Sequence, residues 1–155
     1  MKKVLLFLLM VLMLTGCSAE KKVELPDAES LLTELKGKNT NLDKIQAFTA
    51  ETDPNEKLGR PGNYISKADF SDMRLDQEGS EYLVGGTLET FSSKDDCKKR
   101  ADYLNKMNDQ SLGFLALNQY VYPYDKVLLR IDYKLTSEQA EEYKTQFDEI
   151  MKRYE

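Results

Sequence analysis

The chain has 155 residues, enough for one domain, with 27 acidic against 22 basic residues and no histidine. The missing histidine excludes Ser-His-Asp and Cys-His nucleophilic machinery and every zinc site that needs imidazole. An acidic balance without a basic cluster argues against nucleic acid as a partner and against a body lying on anionic lipid.

Met1-Lys2-Lys3 makes a short positive start, and Val4 to Leu14 is an unbroken apolar run. That length suits the core of a signal peptide, whereas a bilayer-spanning helix needs about 20 residues. Leu14-Thr15-Gly16-Cys17 follows and matches the lipobox of bacterial lipoproteins. The chemistry needs a thiol there, because diacylglycerol is joined to the sulfur before the chain is cut between Gly16 and Cys17. Small residues ahead of the cut let the peptidase reach the backbone. The chain then divides into a signal peptide (1–16), a lipidated tether (17–26) and one α+β domain (27–155). Its acyl chains would hold it at the cell membrane, on the extracytoplasmic face. Lys2 and Lys3 leave with the leader, so the mature chain carries 20 basic and 27 acidic residues. With Cys17 lipidated, Cys97 has no partner within the chain. It either pairs between molecules or, as its helical position favours, is a small buried side chain.

Beyond the polar tether, Asp27 is placed to cap a helix. Ala28, Leu31, Leu32 and Leu35 recur at helical spacing, and Gly37 is expected to end it. Ile45 to Glu51 reads as a strand. Thr52 to Tyr64 is dense in turn signals. The Asp53 carboxylate can bond the backbone ahead while Pro54 presets φ, and Pro61-Gly62 suits the centre of a type II turn. Ile65 to Phe70 is a short strand and Ser71 to Ser80 an irregular connection. Leu83 to Phe91 is a strand entered through Gly85-Gly86. Ser93 caps a second helix with Asp96 at its third position. That helix turns Cys97, Ala101, Leu104 and Met107 inward, and Lys98, Lys99 and Arg100 to water. A hairpin follows around Pro123-Tyr124-Asp125-Lys126, its return strand alternating through Val127, Leu129, Ile131 and Tyr133. Tyr122 then faces Val127 and Tyr120 faces Leu129 on the buried side, leaving Tyr124 exposed in the turn. Thr136 and Gln139 form a capping box, Leu135 and Ala140 a staple. Ala140, Tyr143, Phe147, Ile150 and Tyr154 make the apolar stripe of the last helix. The expected fold is α+β: an antiparallel sheet of about four to five strands with helices packed mainly on one face.

Glu51-Thr52-Asp53-Pro54-Asn55 is followed by Leu58-Gly59-Arg60-Pro61-Gly62 and Tyr64. Later come Gly85-Gly86-Thr87-Leu88-Glu89, Val127-Leu128-Leu129-Arg130 and Leu135-Thr136-Ser137-Glu138-Gln139-Ala140. This succession, over roughly Glu51 to Tyr143, resembles small, mostly uncharacterised lipoproteins of Gram-positive bacteria. The resemblance implies a strand entered through paired glycines and a closing hairpin plus helix; it brings no activity. Leu112 to Leu117 departs from it, being apolar where a shorter polar connection is expected.

The candidate binding loop comprises Asp53, Asn55, Arg60 and Tyr64. Held between two turns, the Arg60 guanidinium can clamp a carboxylate or phosphate, or it can tie the loop to Asp53 or a backbone carbonyl. Calcium through Asp53 and Asn55 lacks further oxygen ligands, so neither metal nor cofactor is expected. Tyr120, Tyr122 and Tyr124 are a sugar or peptide stripe or, as the pairing favours for the first two, core residues. Leu112, Phe114 and Leu115 are a partner patch or are buried under the sheet edge. The expected function is non-catalytic binding of an envelope protein or small ligand. A tethered inhibitor or phage-exclusion factor, and a small hydrolase using carboxylates alone, are the alternatives.

Overall fold

The computed structural model describes residues 24–110 and 118–155. The leader, Cys17 and the Leu112, Phe114 and Leu115 patch lie outside the described residues. Three helices, α1 (Ala28–Lys38), α2 (Lys94–Gln110) and α3 (Ser137–Met151), accompany five strands. These are β1 (Leu42–Ala47), β2 (Tyr64–Asp72), β3 (Gly85–Phe91), β4 (Gln119–Tyr124) and β5 (Val127–Asp132). All pairings are antiparallel, in the order β1-β2-β3-β5-β4. The α+β expectation therefore holds.

Helix α1 begins where expected: the Asp27 carboxylate accepts from the Ser30 N–H at 2.8 Å, and Ala28, Leu31, Leu32 and Leu35 are buried. It runs through Gly37 instead of stopping there. Asn39 ends it, donating its N–H to the Leu35 carbonyl at 2.8 Å. Strand β1 starts earlier than expected, at Leu42, because Leu42 and Ile45 pair with Asp72 and Phe70 on either side of an irregularity. It stops at Ala47, since the Thr49 and Thr52 hydroxyl and backbone groups close a local turn in its place. Strand β2 takes in Ser71 and Asp72, which were expected in the connection, by pairing Ser71 with Gly85. Close approach explains the glycine pair. A Cβ on Gly86 would lie 2.4 Å from the Arg130 carbonyl oxygen and 2.6 Å from the Phe70 ring.

Leu88, Val127, Leu129 and Ile131 project to one face of the sheet and meet α1 and α3 in the main core. Helix α3 keeps its capping box: Thr136 and Gln139 bond each other's backbone N–H groups. Tyr143 and Phe147 fill the layer beneath it. The opposite face carries a smaller core of Tyr64, Phe91, Leu128, Cys97 and Ala101 under α2. Ser93 caps α2, accepting from the Asp96 N–H at 3.1 Å and donating its hydroxyl to the Asp96 carboxylate.

The hairpin is tighter than expected. Tyr124 faces Val127, Tyr122 faces Leu129 and Tyr120 faces Ile131, with Asp125 taking a positive φ of 47° in the two-residue turn. A register shift of two preserves the face, so Tyr120 and Tyr122 still pack against the main core, half-buried. Tyr124 moves with the register. It is not the exposed tip but a half-buried strand residue, edge-on to Phe147 and bonded to Glu155. Tyr133 lies past the end of β5 and is exposed, stacked on Tyr120.

The register defines two ends of the sheet. Tyr64, Phe91, Tyr124 and Val127 gather at one; Leu42, Asp72, Gly85 and Asp132 at the other. The described chain enters at the first end, where Leu25 packs against the main core and the Ala28 N–H donates to the Ser66 hydroxyl.

Candidate functional site

The loop between β1 and β2 is built around Asp53. Its Pro54-Asn55 turn is closed by the Glu56 N–H on the Asp53 carbonyl at 2.9 Å. Its side chain bends back into the loop, as the sequence leads one to expect. One carboxylate oxygen accepts from the Lys57 N–H at 2.9 Å, the Leu58 N–H at 3.1 Å and the Tyr64 hydroxyl at 2.6 Å. The other accepts from the Asn55 N–H at 3.3 Å and the Lys67 ammonium at 2.9 Å. Both members of the Asp53–Lys67 pair are buried, and the ammonium sits 4.4 Å from the centre of the Phe48 ring. Burial pushes the Asp53 carboxyl upward. The bonds from Tyr64, Lys57 and Lys67, with the Lys67 charge, more than offset it and hold the group well below the usual carboxylate range.

Of the four candidate loop residues, Asp53 and Tyr64 thus form the interior scaffold, and Tyr64 is wholly buried. Asn55 and Arg60 are exposed at the rim. The predicted Pro61-Gly62 turn forms, with φ of 73° at Gly62 and the Asn63 N–H on the Arg60 carbonyl at 3.0 Å. Arg60 does not bond Asp53, whose oxygens already serve five donors. Its charged neighbour is Glu56, 3.8 Å away with both side chains largely in water.

Beside this loop the α2-facing side of the sheet carries a buried charge network that the sequence reading missed. Glu89, with no exposed surface, accepts two bonds of 3.2 Å from Arg100 and lies 3.4 Å from Arg130. Arg100 was expected in water; it instead lies along α2 over β3. Asp69 accepts from the Thr87 hydroxyl at 2.7 Å. The Nε of Arg130 is buried without a hydrogen-bond partner. The available signal was the alternation in Lys67-Ala68-Asp69 and Thr87-Leu88-Glu89, a polar parity that reads as a solvated face when only one layer of helices is considered.

Burial raises the Asp69 carboxyl, with Glu89 adding to the shift and Thr87, Lys67 and Arg130 opposing it. A carboxyl whose folded pKa lies above its unfolded value loses stability as pH rises through that interval. Asp69→Asn keeps an oxygen for the Thr87 hydroxyl and removes the titration. Thermal melts should give a higher melting temperature than the parent at pH 7 and little difference near pH 3.

Cys97 is a buried free thiol on α2, pushed up to about 12 by burial and by the negative charges of Glu89 and Asp125. Its hydrogen goes to the Val127 carbonyl. Among the described residues, no three His, Cys, Asp or Glu side chains converge as metal ligands, and no helix is long and apolar enough to cross a membrane.

The family model for the prokaryotic membrane lipoprotein lipid attachment site matches residues 1–18. No curated protein and no solved structure gives a match.

Proposed function

We propose that this lipid-anchored bacterial lipoprotein is a non-catalytic binding module, acylated at Cys17 and presented outside the cell, that meets its partner through the rim of the Asp53–Tyr64 loop. The observation that carries the reading is the saturation of Asp53. Five donors order the loop from beneath and leave Asn55, Glu56 and Arg60 at its rim. A loop ordered in advance loses little conformational freedom on binding. The long, exposed contact with Glu56 is screened by water and leaves the Arg60 guanidinium available to a carboxylate or phosphate. Three features support a non-catalytic role: the Cys97 thiol is raised and covered, Glu89 is neutralised by two arginines, and Asp69 is buried. The packing of Tyr124 on Phe147 favours the loop over a protruding aromatic tip of the inhibitor kind.

A photoreactive residue placed at Asn55 in the full chain tests this in living cells. Irradiation should give a discrete adduct that Arg60→Ala abolishes, while melting shifts by no more than about 2 °C, as for an ordinary surface change. An adduct pattern indifferent to Arg60→Ala, or equally strong from a control position at Glu29, would overturn the assignment. Cys17→Ser in parallel should abolish acylation and leave the leader uncut, so mass spectrometry should find the full-length chain without lipid.

A further inference from the structure

The Arg60 loop and the point where the chain leaves for its anchor lie at the same end of the sheet. Tyr64, which closes the loop by accepting from the Gly59 N–H at 2.9 Å, pairs with Phe91. A cleft beside that pair is lined by Glu24, Leu25, Ile65, Thr90, Phe91 and Lys126, among others. Six residues separate Glu24 from Cys17. Even fully extended, that stretch spans only about 25 Å. Cys17 can therefore never lie farther than this from Glu24, which stands at the end of the sheet that carries Arg60.

The same end bears an apolar side chain with no partner in the core. The register shifts between Tyr64 and Ser66, so Ile65 falls out of the pairing with β3 and stands 56% exposed. Met73, Tyr82 and Tyr133, the exposed apolar residues just beyond β2, before β3 and beyond β5, belong to the opposite end.

We propose that this end docks on the bilayer, the Arg60 guanidinium pairing with a phospholipid phosphate and Ile65 entering the interfacial layer. The inference rests on the loop reading above and names its partner as the headgroup layer. The acidic balance of the mature chain does not oppose it. A guanidinium recognises phosphate at contact range, and zwitterionic lipids carry the same phosphate as anionic ones. One cation and one isoleucine make a weak contact by themselves. The tether makes the encounter intramolecular, with an effective concentration in the mM range typical of short linkers, so weak contacts suffice.

The test uses the full acylated chain in phosphatidylcholine vesicles that carry a nitroxide at the headgroup. A fluorophore is attached at Ser92→Cys, an exposed position at the tether end, or in a separate sample at Tyr82→Cys at the far end. The buried Cys97 thiol stays unlabelled. Quenching should be severalfold stronger at position 92 than at 82, and should fall to the level at 82 in the Arg60→Ala, Ile65→Ser double variant. Equal quenching at the two positions, or quenching at 92 indifferent to the double substitution, would overturn the docking. A protein adduct in cells with no selective quenching here would overturn the lipid partner and leave the binding module standing. No adduct and no selective quenching would overturn both.

Discussion

Asp53→Ala should lower the melting temperature by on the order of 10–20 °C, which a thermal melt followed by circular dichroism will read directly. The substitution strands the Lys67 ammonium in a buried position and leaves the Tyr64 hydroxyl and three backbone N–H groups without their acceptor. Removing one partner of a buried ion pair costs roughly 3–5 kcal/mol, a large share of the 5–15 kcal/mol by which a typical domain is stable. Lys67→Met added to Asp53→Ala should recover part of the loss, because the stranded charge, not the missing attraction, is the larger penalty. The pH dependence gives an independent check. The folded carboxyl lies well below its unfolded value, so its contribution is complete above the unfolded pKa of about 3.9 and fades as pH falls through the folded one. The gap between parent and Asp53→Ala should therefore narrow on acidification below about pH 4. A constant gap from pH 7 to pH 2 would mean that the carboxylate charge is not what holds the loop.

Glu89→Ala should be comparably severe, by about 3–5 kcal/mol, but its damage should appear elsewhere. Glu89 gathers Arg100 from α2 and Arg130 from β5 onto one carboxylate. Without it Arg100 loses the carboxylate it bonds and Arg130 loses its ion pair, and Arg130 already leaves one nitrogen unsatisfied. The apolar contacts of α2 with the sheet are few: Cys97 and Ala101 are its buried residues and Leu104 packs at the margin. The helix thus depends on the Arg100 bridge more than α1 or α3 depends on any single pair. Hydrogen exchange should accelerate along α2 in Glu89→Ala and along the Asp53–Tyr64 loop in Asp53→Ala, with α1 and α3 spared in both. Uniform acceleration across the domain in Glu89→Ala would show that the network supports the whole sheet and not this one helix.

Caps and turn signals lie within a few residues of the groups they organise, and most of them act as the sequence leads one to expect. Asp27, Ser93 and Thr136 cap their helices, Asp53-Pro54 and Pro61-Gly62 turn as expected, and the helical stripes of α1 and α3 face the core. Departures come either from a stronger local signal or from a strand distant in the chain. Gly37 looked like a helix end, but the Asn39 cap carried α1 one residue further; Ser71 and Asp72 looked like loop, but Gly85 was free to pair with β2. Pro123 beside Tyr124 suggests a turn that includes both residues. The chain turned at Asp125-Lys126, where a positive φ is cheaper for aspartate than for a bulky side chain.

By itself the sequence determined the lipid attachment site, the α+β class, the helix caps and the turn-rich loop, because each is written in residues within a few positions of one another. The tertiary structure alone decided that α2 crosses the polar face of the sheet. That placement turns Glu89 and Arg130 from apparent surface residues into buried, paired charges, while Lys67 is buried against Asp53 of the loop and Asp69 is buried beside the Thr87 hydroxyl. It likewise decided that Asp53 and Tyr64 face inward while Arg60 stays in water, and that the loop shares an end with the tether. Whether a charge is exposed depends on what lies above it, and segments remote in the chain supply that layer.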